Sequence, residues 1–379
     1  MQSRDSGRME DKYDWILAST FVALVMMGLV MVLSSSAPLA GMRHGDPLYY
    51  FKRQLLFLGI GAFAFVLSLK VPFKVIKGAS HLLLAMAVTL LILVLLPPFG
   101  RKVGVAQRWL HTPLGSFQPS ELAKLALVIF LCHLGTKEER RSLRGFLLPL
   151  GVIGLVVGLV LLEPDFGGAL FIGGLSVVLM FIFGWRVSHI LVLPFLAMPA
   201  VGWLLVTKSY AWKRLVDFLS FLRDPSQATY QLRQSFIALA RGGILGTGIG
   251  AGKQKLFYLP AAHTDFILAN LGEELGFAGV LAVMVLFAIV LLRGMRIAFR
   301  HPDPFGRNLA AGLTLMIVLQ ALVNIAVVLG MLPTKGLPLP FLSYGGSSLL
   351  VEIVAAGLLL NLSRDLQEGR RNRIWRSGW

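Results

Sequence analysis

Six ionisable side chains lie within stretches of otherwise apolar sequence, where an unpaired charge is costly. These residues are Glu121, Lys124, Asp265, Glu273, Glu274 and Glu352. Glu121 and Lys124 are spaced i, i+3, so on a helix they share one face and can form an ion pair. This spacing is as consistent with a structural pair as with a direct contact to a substrate.

Asp265 stands where a basic stretch of sequence gives way to an apolar one. A carboxylate at such a boundary could act as a general base, although an acidic residue that opens a helix is the simpler alternative. Glu273 lies about 12 Å deeper along the same predicted helix and is a further candidate for contact with a substrate. Glu274 should point to the opposite side, so the two glutamates are not expected to face one cavity.

Residues 207–264 contain many more basic than acidic residues. The basic ones are Lys208, Lys213, Arg214, Arg223, Arg233, Arg241, Lys253 and Lys255. Apolar residues recur at helical spacing from Trp212 to Leu222, which predicts an amphipathic helix lying in a membrane interface. The charges are equally consistent with lipid contact and with an anion site.

We expect two groups among these cations. Arg241, Lys253 and Lys255 are predicted to converge with Asp265 on one outward-facing cavity that opens sideways to lipid. Their expected partner is an anionic group held at the membrane surface. By contrast, the cations beside the amphipathic stretch are predicted to be lipid anchors. These anchors are Lys208, Lys213 and Arg214.

A run of glycines between 242 and 252 invites comparison with a phosphate-binding loop, but the nucleotide patterns fail. Thr247 stands where a Walker motif needs glycine, and Gln254 stands where it needs Ser or Thr. The run can still offer backbone N–H groups to a phosphate, or its glycines can serve a tight re-entrant turn. The histidine spacing matches no metal motif, and the single cysteine, Cys132, excludes a thiolate cluster. We therefore expect no nucleotide and assign no metal ligands.

The composition indicates the class of protein that must position these residues. Of 379 residues, 56% are hydrophobic and 15% are charged, and the mean hydropathy is +0.74. A soluble fold cannot hide so much apolar surface, so soluble enzymes, disordered chains and disulfide scaffolds are excluded. The net charge of +17 is explained by contact with anionic lipid head groups, and no nucleic-acid partner is expected.

Ten apolar segments are long enough to span a bilayer. The predicted spans are 15–34, 51–69, 79–97, 119–135, 146–162, 166–184, 187–206, 265–292, 307–332 and 341–362. The predicted fold is therefore an all-α polytopic membrane protein of ten helices, with a long extracytoplasmic loop between helices seven and eight. The first span is too long for a cleaved signal peptide.

The predicted organisation has three parts. Residues 1–14 form an N-terminal tail, 15–362 the ten-helix transmembrane domain with the large outer loop at 207–264, and 363–379 a basic C-terminal tail. Lys and Arg concentrate in the short loops on the side that holds both ends of the chain. This bias places both termini in the cytoplasm.

Several motifs together resemble the SEDS family, whose members act in shape, elongation, division and sporulation. They are RWL at 108–110, FQPSELAK at 117–124, EPDFG at 163–167, YQ at 230–231, QK at 254–255, YLP at 258–260, HTDF at 263–266, GEE at 272–274 and PLPFLSYGGSS at 338–348. The resemblance covers nearly the whole chain. PTKGL at 333–337 is more similar to the division branch than to the elongation branch, and a sporulation paralogue is also compatible.

The resemblance implies a peptidoglycan glycosyltransferase of the bacterial cytoplasmic membrane, active at the division septum. Such an enzyme polymerises lipid II, a disaccharide carried on undecaprenyl diphosphate, on the outer face of the membrane. The family's catalytic aspartate matches Asp265. The family also implies a class B penicillin-binding protein, a transpeptidase, as partner, together with other membrane proteins of the division machinery.

The chemistry of that reaction suits the residues already singled out. Asp265 would accept the proton of the attacking sugar hydroxyl, and cations would stabilise the departing diphosphate. The candidate substrate-binding residues are Arg53, Arg108, Glu121, Lys124, Arg241, Lys253, Lys255 and Glu273. A divalent cation, Mg or Mn, could share the diphosphate, although the sequence does not identify its ligands.

Two other functions remain open at this stage. A lipid II flippase or transporter would need a site near the membrane midplane that both sides can reach, whereas the strongest charge cluster here lies towards one face. A non-enzymatic scaffold for cell division would tolerate replacement of Asp265.

Overall fold

The structure is a computed structural model that describes residues 13–97, 99–103, 106–112, 115–193, 195, 198, 202 and 209–376. Most of this part of the chain is helical. The longer helices are α1 (Trp15–His44), α2 (Tyr49–Ser68), α3 (Phe73–Leu95), α4 (Pro119–Leu134), α5 (Leu143–Leu162), α6 (Phe166–Ile182), α8 (Ser209–Arg223), α9 (Tyr230–Gly242), α10 (Ile267–Arg300), α11 (Pro304–Val328) and α12 (Gly346–Arg376). A single turn, α7 (Val187–Ile190), follows α6.

Within the described residues, seven helices are long and apolar enough to cross a membrane, and α6 is a shorter apolar helix. The prediction of a helical, multi-span membrane protein is therefore confirmed. Half of the predicted seventh span, 187–206, lies outside the described residues, and so do residues 1–12 and 377–379. The count of ten therefore stays a prediction. Helix α12 continues past residue 362, and the first part of the predicted C-terminal tail is therefore helical.

Polar side chains at the helix starts explain several of the boundaries. The side chains of Asp14, Ser142, Asp165 and Asp303 each accept a hydrogen bond from a backbone N–H in the first turn of the helix that follows. Such caps satisfy donors that the helix itself cannot pair. Helix α4 instead begins at Pro119, whose ring suits the first helical position.

The bundle has an inner group of helices and an outer group that presents apolar side chains outward. In the most apolar window of α11 and of α12, 78% and 83% of residues are buried, against 17% in α2. Helix α4 is buried along almost its whole length. These three inner helices carry the buried polar side chains of Glu121, Lys124, Gln320, Asn324 and Glu352, whereas the outer helices supply the surface that lipid would cover.

A small antiparallel sheet stands between α3 and α4, where the sequence predicted only a short loop. Its strands are β1 (Gly100–Val103), β2 (Ala106–Thr112) and β3 (Gly115–Phe117), in the order β1-β2-β3. Leu110 of β2 pairs with Phe117 of β3, immediately before α4 begins. The sheet therefore fixes the direction in which β2 presents Arg108.

The predicted outer loop, 207–264, contains two amphipathic helices, α8 and α9. The helix predicted around 212–222 is confirmed as α8. Trp212, Leu219 and Leu222 on α8 are exposed, so an apolar face points away from the protein. That this face lies in the membrane interface stays a prediction.

Helix α10 is interrupted at Gly276, which has φ 67° and ψ −167°. The interruption leaves backbone groups unpaired, and the segment after α9 supplies their partners. Thr247 N–H donates to the Glu273 carbonyl (N···O 2.9 Å), and Phe277 N–H donates to the Gly243 carbonyl (2.8 Å). Irregular backbone at membrane depth is tolerated only when protein groups satisfy it in this way.

The glycines of this segment are needed for the close approach. Gly246 has φ +83°, and a Cβ there would lie 2.2 Å from the Glu274 carbonyl oxygen. A Cβ on Gly276 would likewise lie 2.3 Å from the Gly246 nitrogen. The explanation of the glycine run as a sterically required re-entrant turn is therefore confirmed.

Candidate functional site

Asp265 lies immediately before α10 and is fixed through its backbone. The side-chain amide of Asn324 on α11 donates to the Asp265 carbonyl at 2.9 Å and to the Leu337 carbonyl at 2.7 Å. The chain at 335–343 consequently runs alongside Asp265. A Cβ on Gly336 would lie only 3.2 Å from the Asp265 carboxylate, so a glycine lets this segment approach the acid closely.

The surroundings of Asp265 raise its pKa to about 6. Burial is the largest cause, Arg214 opposes it, Asp165 adds to the increase, and Arg108 lowers the pKa again. An acid with this pKa is mostly ionised at neutral pH but binds a proton readily. These are the properties that a general base needs.

A short turn between α5 and α6 brings two more acids to the site. Asp165 caps α6 by accepting from Gly168 N–H at 3.0 Å, and a guanidinium nitrogen of Arg108 lies 3.5 Å from the Asp165 carboxylate. Arg108 also donates to the Glu163 carbonyl at 3.1 Å and to the Pro164 carbonyl. The turn and the sheet are thus joined by one arginine.

Glu163 is the unusual member of this turn. It is fully buried, and neither of its carboxylate oxygens has a hydrogen-bond partner. Burial, with a smaller contribution from Asp165, raises its pKa to about 8. Glu163 is therefore mostly protonated at neutral pH, because a charge at this place would be unsolvated.

A small cavity of about 30 Å³ lies between α4, α6 and the 335–338 segment. Its polar lining includes Glu121, Lys124 and Asp165, and Gly336 forms part of its wall. Gly336 therefore lies beside both the cavity and the carboxylate of the candidate base. The structure thus brings three sequence-predicted residues, Arg108, Glu121 and Lys124, close to Asp165.

The predicted pair of Glu121 and Lys124 is confirmed, with Lys124 Nζ 2.6 Å from the Glu121 carboxylate and both side chains buried. Lys124 also donates to the side-chain carbonyl of Gln320 at 2.5 Å. The amide of Gln320 donates in turn to the Pro338 carbonyl at 3.0 Å. Two turns of α11 thus hold the 335–343 segment, through Gln320 and Asn324.

Glu352 on α12 completes this internal network. Its carboxylate accepts from the Phe341 N–H at 2.7 Å and from the Ser348 hydroxyl at 2.7 Å. Phe341 has a φ of 64°, a conformation that a residue with a Cβ seldom adopts. Glu352, which the sequence singled out as an acid within an apolar stretch, is therefore paired with the 335–343 segment.

The second set of predicted residues forms a separate cluster around Glu273 and Glu274. The Glu273 carboxylate accepts from the backbone N–H of Lys253 at 3.0 Å and of Gln254 at 2.9 Å. The Glu274 carboxylate accepts from Gly250 N–H at 3.0 Å. The glycine-rich loop does present its N–H groups to anions, but those anions are carboxylates of the same chain.

Lys255 also belongs to this cluster. Its ammonium lies 2.7 Å from the Glu274 carboxylate and 2.8 Å from the Ser34 hydroxyl, and its side chain is only 5% exposed. Arg241 lies 3.9 Å from the Glu273 carboxylate and is 42% exposed. The expectation that Lys255 faces a common cavity with Asp265 is therefore wrong.

Two further expectations need correction. Glu273 and Glu274 both engage the 250–255 loop, since this loop passes across the end of the helical turn and offers donors to both side chains. Arg214, predicted as a lipid anchor, instead affects the charge of Asp265 and donates to the Thr334 carbonyl at 2.9 Å. Lys213 is exposed, whereas Lys208 lies outside the described residues.

Arg53 lies in another part of the site, against two tyrosines. Its guanidinium carbon is 5.4 Å from the centre of the Tyr49 ring. Burial raises the pKa of Tyr344, and the nearby Arg53 opposes that increase. Tyr344 N–H donates to the His263 carbonyl at 2.9 Å. Arg53 is therefore near the Asp265 loop but not in the Arg108 and Lys124 cluster.

In the part of the chain that the structure describes, no group of three or more His, Cys, Asp or Glu side chains is arranged to hold a metal ion. Asp265 and Asp165 nonetheless offer carboxylate oxygens, which hard divalent cations prefer. Magnesium usually takes one or two protein carboxylates and completes its coordination with substrate phosphates and water. The residues present fit that shared mode of binding.

Comparisons with known proteins agree with these features. Residues 14–368 match the family model for FtsW, RodA and SpoVE, described as a cell cycle protein. The chain is 43% identical, over 94% of each chain, to a probable peptidoglycan glycosyltransferase FtsW of Trichlorobacter lovleyi. It is 38% identical to stage V sporulation protein E of Bacillus subtilis, covering 93% of this chain and 97% of that one.

Solved structures show the same fold. A chain from a study of how a peptidoglycan synthase complex coordinates polymerization and crosslinking matches with a TM-score of 0.74 and 31% identity, covering 93% of this chain and 98% of that chain. The rod shape determining protein RodA of Thermus thermophilus matches with a TM-score of 0.68 and 29% identity, covering 93% of this chain and 97% of that one.

The ion pair of Lys255 and Glu274 predicts a specific pattern of stability. Lys255→Met leaves a buried carboxylate unpaired and should lower the free energy of unfolding by about 3–5 kcal/mol. The double variant Lys255→Met/Glu274→Gln should recover most of this loss, because no uncompensated charge remains. Thermal unfolding of the purified protein in detergent measures both effects.

Lys253→Met is the matched control, since Lys253 is exposed and exposed charges contribute little. An unfolding midpoint for Lys255→Met no lower than that of Lys253→Met would contradict the assignment of a buried, structural pair.

Glu163 gives a prediction of pH dependence. Its pKa in the folded protein is about 8 against an ordinary value of 4.5, so the folded state holds a proton that the unfolded state releases. The folded protein should therefore lose stability as the pH rises from 4.5 to 8. Glu163→Gln removes this loss, and its advantage in melting temperature over the natural chain should grow between pH 5 and pH 8. A constant difference between the two proteins over this range would argue against a buried, protonated Glu163.

Proposed function

The chain belongs to the FtsW, RodA and SpoVE family of cell cycle proteins, and on that premise we propose that it is a peptidoglycan glycosyltransferase that polymerises lipid II. The relatives named as probable peptidoglycan glycosyltransferases extend over nearly its whole length. The observation that carries the proposal is the place of Asp265. It is an acid with a pKa near 6, bordered by a polar cavity and by arginines.

The reaction that this geometry supports is a single displacement. The hydroxyl oxygen of the acceptor sugar attacks the anomeric carbon of the donor, and the bond from that carbon to the phosphate oxygen breaks. Asp265 accepts the hydroxyl proton as the new bond forms. The lipid diphosphate leaves with the electron pair of the broken bond, so no covalent intermediate with the protein is required.

The departing diphosphate needs positive charge near the site of bond cleavage. Arg108, Lys124 and Arg214 are proposed for this role, since each lies beside the Asp165 and Asp265 carboxylates or lines the adjoining cavity. Arg53, Arg241 and Lys253 are proposed as more peripheral contacts with the substrate. Glu273 and Lys255 are proposed to act indirectly. Glu273 binds the backbone of the 250–255 loop, and Lys255 anchors the end of that loop to Glu274.

A divalent cation is proposed as a component of the complex with substrate. Asp165 and Asp265 would hold it, and the diphosphate would supply the remaining oxygen ligands. Bound there, such an ion would neutralise charge that develops on the leaving group. The proton transfer to Asp265 does not depend on it.

The cellular setting is part of the proposal. The solved relative that belongs to a complex for polymerization and crosslinking supports a class B penicillin-binding protein as the crosslinking partner of this chain. We further propose ten membrane spans, both termini in the cytoplasm, and association with other membrane proteins of the division septum. The relatives named FtsW support that division role.

The proposal predicts that Asp265→Asn abolishes polymerisation. The amide keeps the shape of the side chain but cannot accept the proton, and loss of a general base lowers a rate by about 10²–10⁴-fold. The measurement uses purified protein with and without its penicillin-binding partner, lipid II, and separation of the glycan polymer on a gel.

Asp217→Asn, the same change on α8, is the matched control and should polymerise normally. Polymer formation by a folded Asp265→Asn protein at the rate of this control would overturn the assignment of the base.

The pKa of Asp265 predicts how the rate depends on pH. The ionised carboxylate is the active form, so the rate should rise with pH through a midpoint near 6. Arg214 lowers this pKa, and Arg214→Gln should therefore move the midpoint to higher pH. The measurement is the initial rate of polymerisation between pH 5 and pH 8.

Lys213→Gln provides the control, because Lys213 is the exposed neighbouring cation and is not among the groups that shift Asp265. Midpoints that coincide for the Arg214 and Lys213 variants would contradict the electrostatic role of Arg214.

A further inference from the structure

A group of aromatic side chains lies next to the Asp265 loop and has no part in the mechanism above. The ring of Tyr50 lies 5.1 Å from that of His263 and 5.1 Å from that of Tyr344, measured between ring centres. Tyr49 joins the group at 5.3 Å from Tyr50. These four rings are each only partly buried, so they offer ring faces and edges to a ligand.

Two arginines border the aromatic group without a carboxylate partner among the described residues. Arg53 lies over the ring of Tyr49, with its guanidinium carbon 5.4 Å from the ring centre. Arg43 is exposed, and it is near enough to His263 for its charge to act on that ring. Neither arginine forms an ion pair within the described part of the chain, so both guanidinium groups are available to an anion.

The aromatic group and the polar cavity are connected to the Asp265 segment through different residues. His263 and Thr264 precede the aspartate, and their carbonyls accept from the Tyr344 N–H and the Ser343 hydroxyl. The Asp265 carboxylate, by contrast, is in contact with Gly336, which forms a wall of the cavity lined by Lys124 and Asp165. A displacement reaction needs an acceptor and a leaving group next to the base, and both the aromatic group and the residues around the cavity lie next to the Asp265 segment.

We propose that Tyr50, Tyr344 and His263 form the subsite for the acceptor saccharide, with Arg43 and Arg53 binding its anionic groups. The inference rests on the proposed function. A sugar ring has an apolar C–H face and polar edges, and the tyrosine side chain offers an apolar face with a hydroxyl handle. The ring nitrogens of His263 can share hydrogen bonds with sugar hydroxyls.

In this arrangement the acceptor hydroxyl points towards Asp265 from the aromatic side, and its proton passes to that carboxylate. The diphosphate leaves towards Arg108 and Lys124. Tyrosines at this depth could alternatively be anchors in the lipid head-group region. The test below separates the two roles, since an anchor has no reason to bind a lipid-free sugar.

The experiment uses the full chain in lipid nanodiscs and the lipid-free disaccharide pentapeptide, N-acetylglucosaminyl-N-acetylmuramyl pentapeptide, as probe. Saturation-transfer NMR should show transfer from the natural protein to the sugar protons. Tyr50→Leu and Tyr344→Leu should weaken binding about three- to tenfold, as expected when one aromatic contact is lost. Tyr50→Phe keeps the ring and should retain the transfer.

Steady-state polymerisation of lipid II supplies the second readout. The leucine variants should raise KM by a similar factor with kcat nearly unchanged, and the pH midpoint near 6 should not move. Tyr258→Leu is the matched control, because Tyr258 is an exposed tyrosine of the same outer region outside the ring contacts described here. Arg53→Gln should weaken probe binding although the aromatic rings are intact. This variant therefore tests the subsite independently if a leucine variant fails to fold.

Three results would overturn the proposal. One is a natural protein that polymerises lipid II but shows no transfer to the probe, which would leave the proposed function standing without this subsite. Another is equal loss of binding in Tyr258→Leu and Tyr50→Leu. The third is full binding in both the Tyr50→Leu and Arg53→Gln variants. A natural protein that binds the probe but makes no polymer would instead contradict the proposed function.

Discussion

Two buried carboxylates fix the position of the glycine-rich loop that follows α9. Glu273 and Glu274 have almost no exposed surface, and their oxygens are satisfied by the loop that returns from α9. The interruption of α10 at Gly276 makes this possible, since it turns backbone groups towards the same loop. If either the acids or the loop were displaced, several polar groups would be left unpaired in an apolar interior, which is strongly unfavourable. The segment between this loop and Asp265 is therefore held in place at its first residues.

The site combines acids that differ in charge although they lie close together. Glu163 keeps its proton because burial leaves both of its oxygens without partners. Asp165 has the Arg108 guanidinium and a helix N-terminus beside it, and Asp265 has a pKa between those of an ordinary acid and of Glu163. A neutral acid, a paired acid and a titrating acid thus share one region. Asp265 and Glu163 therefore titrate on either side of neutral pH, and burial also raises the pKa of Asp165.

The sequence predicted the parts of this protein that depend on local composition. Apolar runs marked the spans that the structure describes, helical spacing marked α8, and the i, i+3 spacing of Glu121 and Lys124 marked a real pair. It failed where the partner comes from a distant part of the chain. Lys255 is adjacent in sequence to the Asp265 loop but is paired with Glu274 and Ser34, and Arg214 was mistaken for a lipid anchor because its neighbours are amphipathic. The small sheet was missed since three short strands leave almost no pattern.

The amide of Asn324 donates two hydrogen bonds, one to the carbonyl of Asp265 and one to that of Leu337. Its side chain is almost completely buried, so water is not at hand to replace either acceptor. The segment that carries the base and the segment that walls the polar cavity are consequently held together by one side chain. Any widening of the site to admit a bulky sugar must carry both segments together, and the geometry between base and cavity is thereby preserved through such a movement.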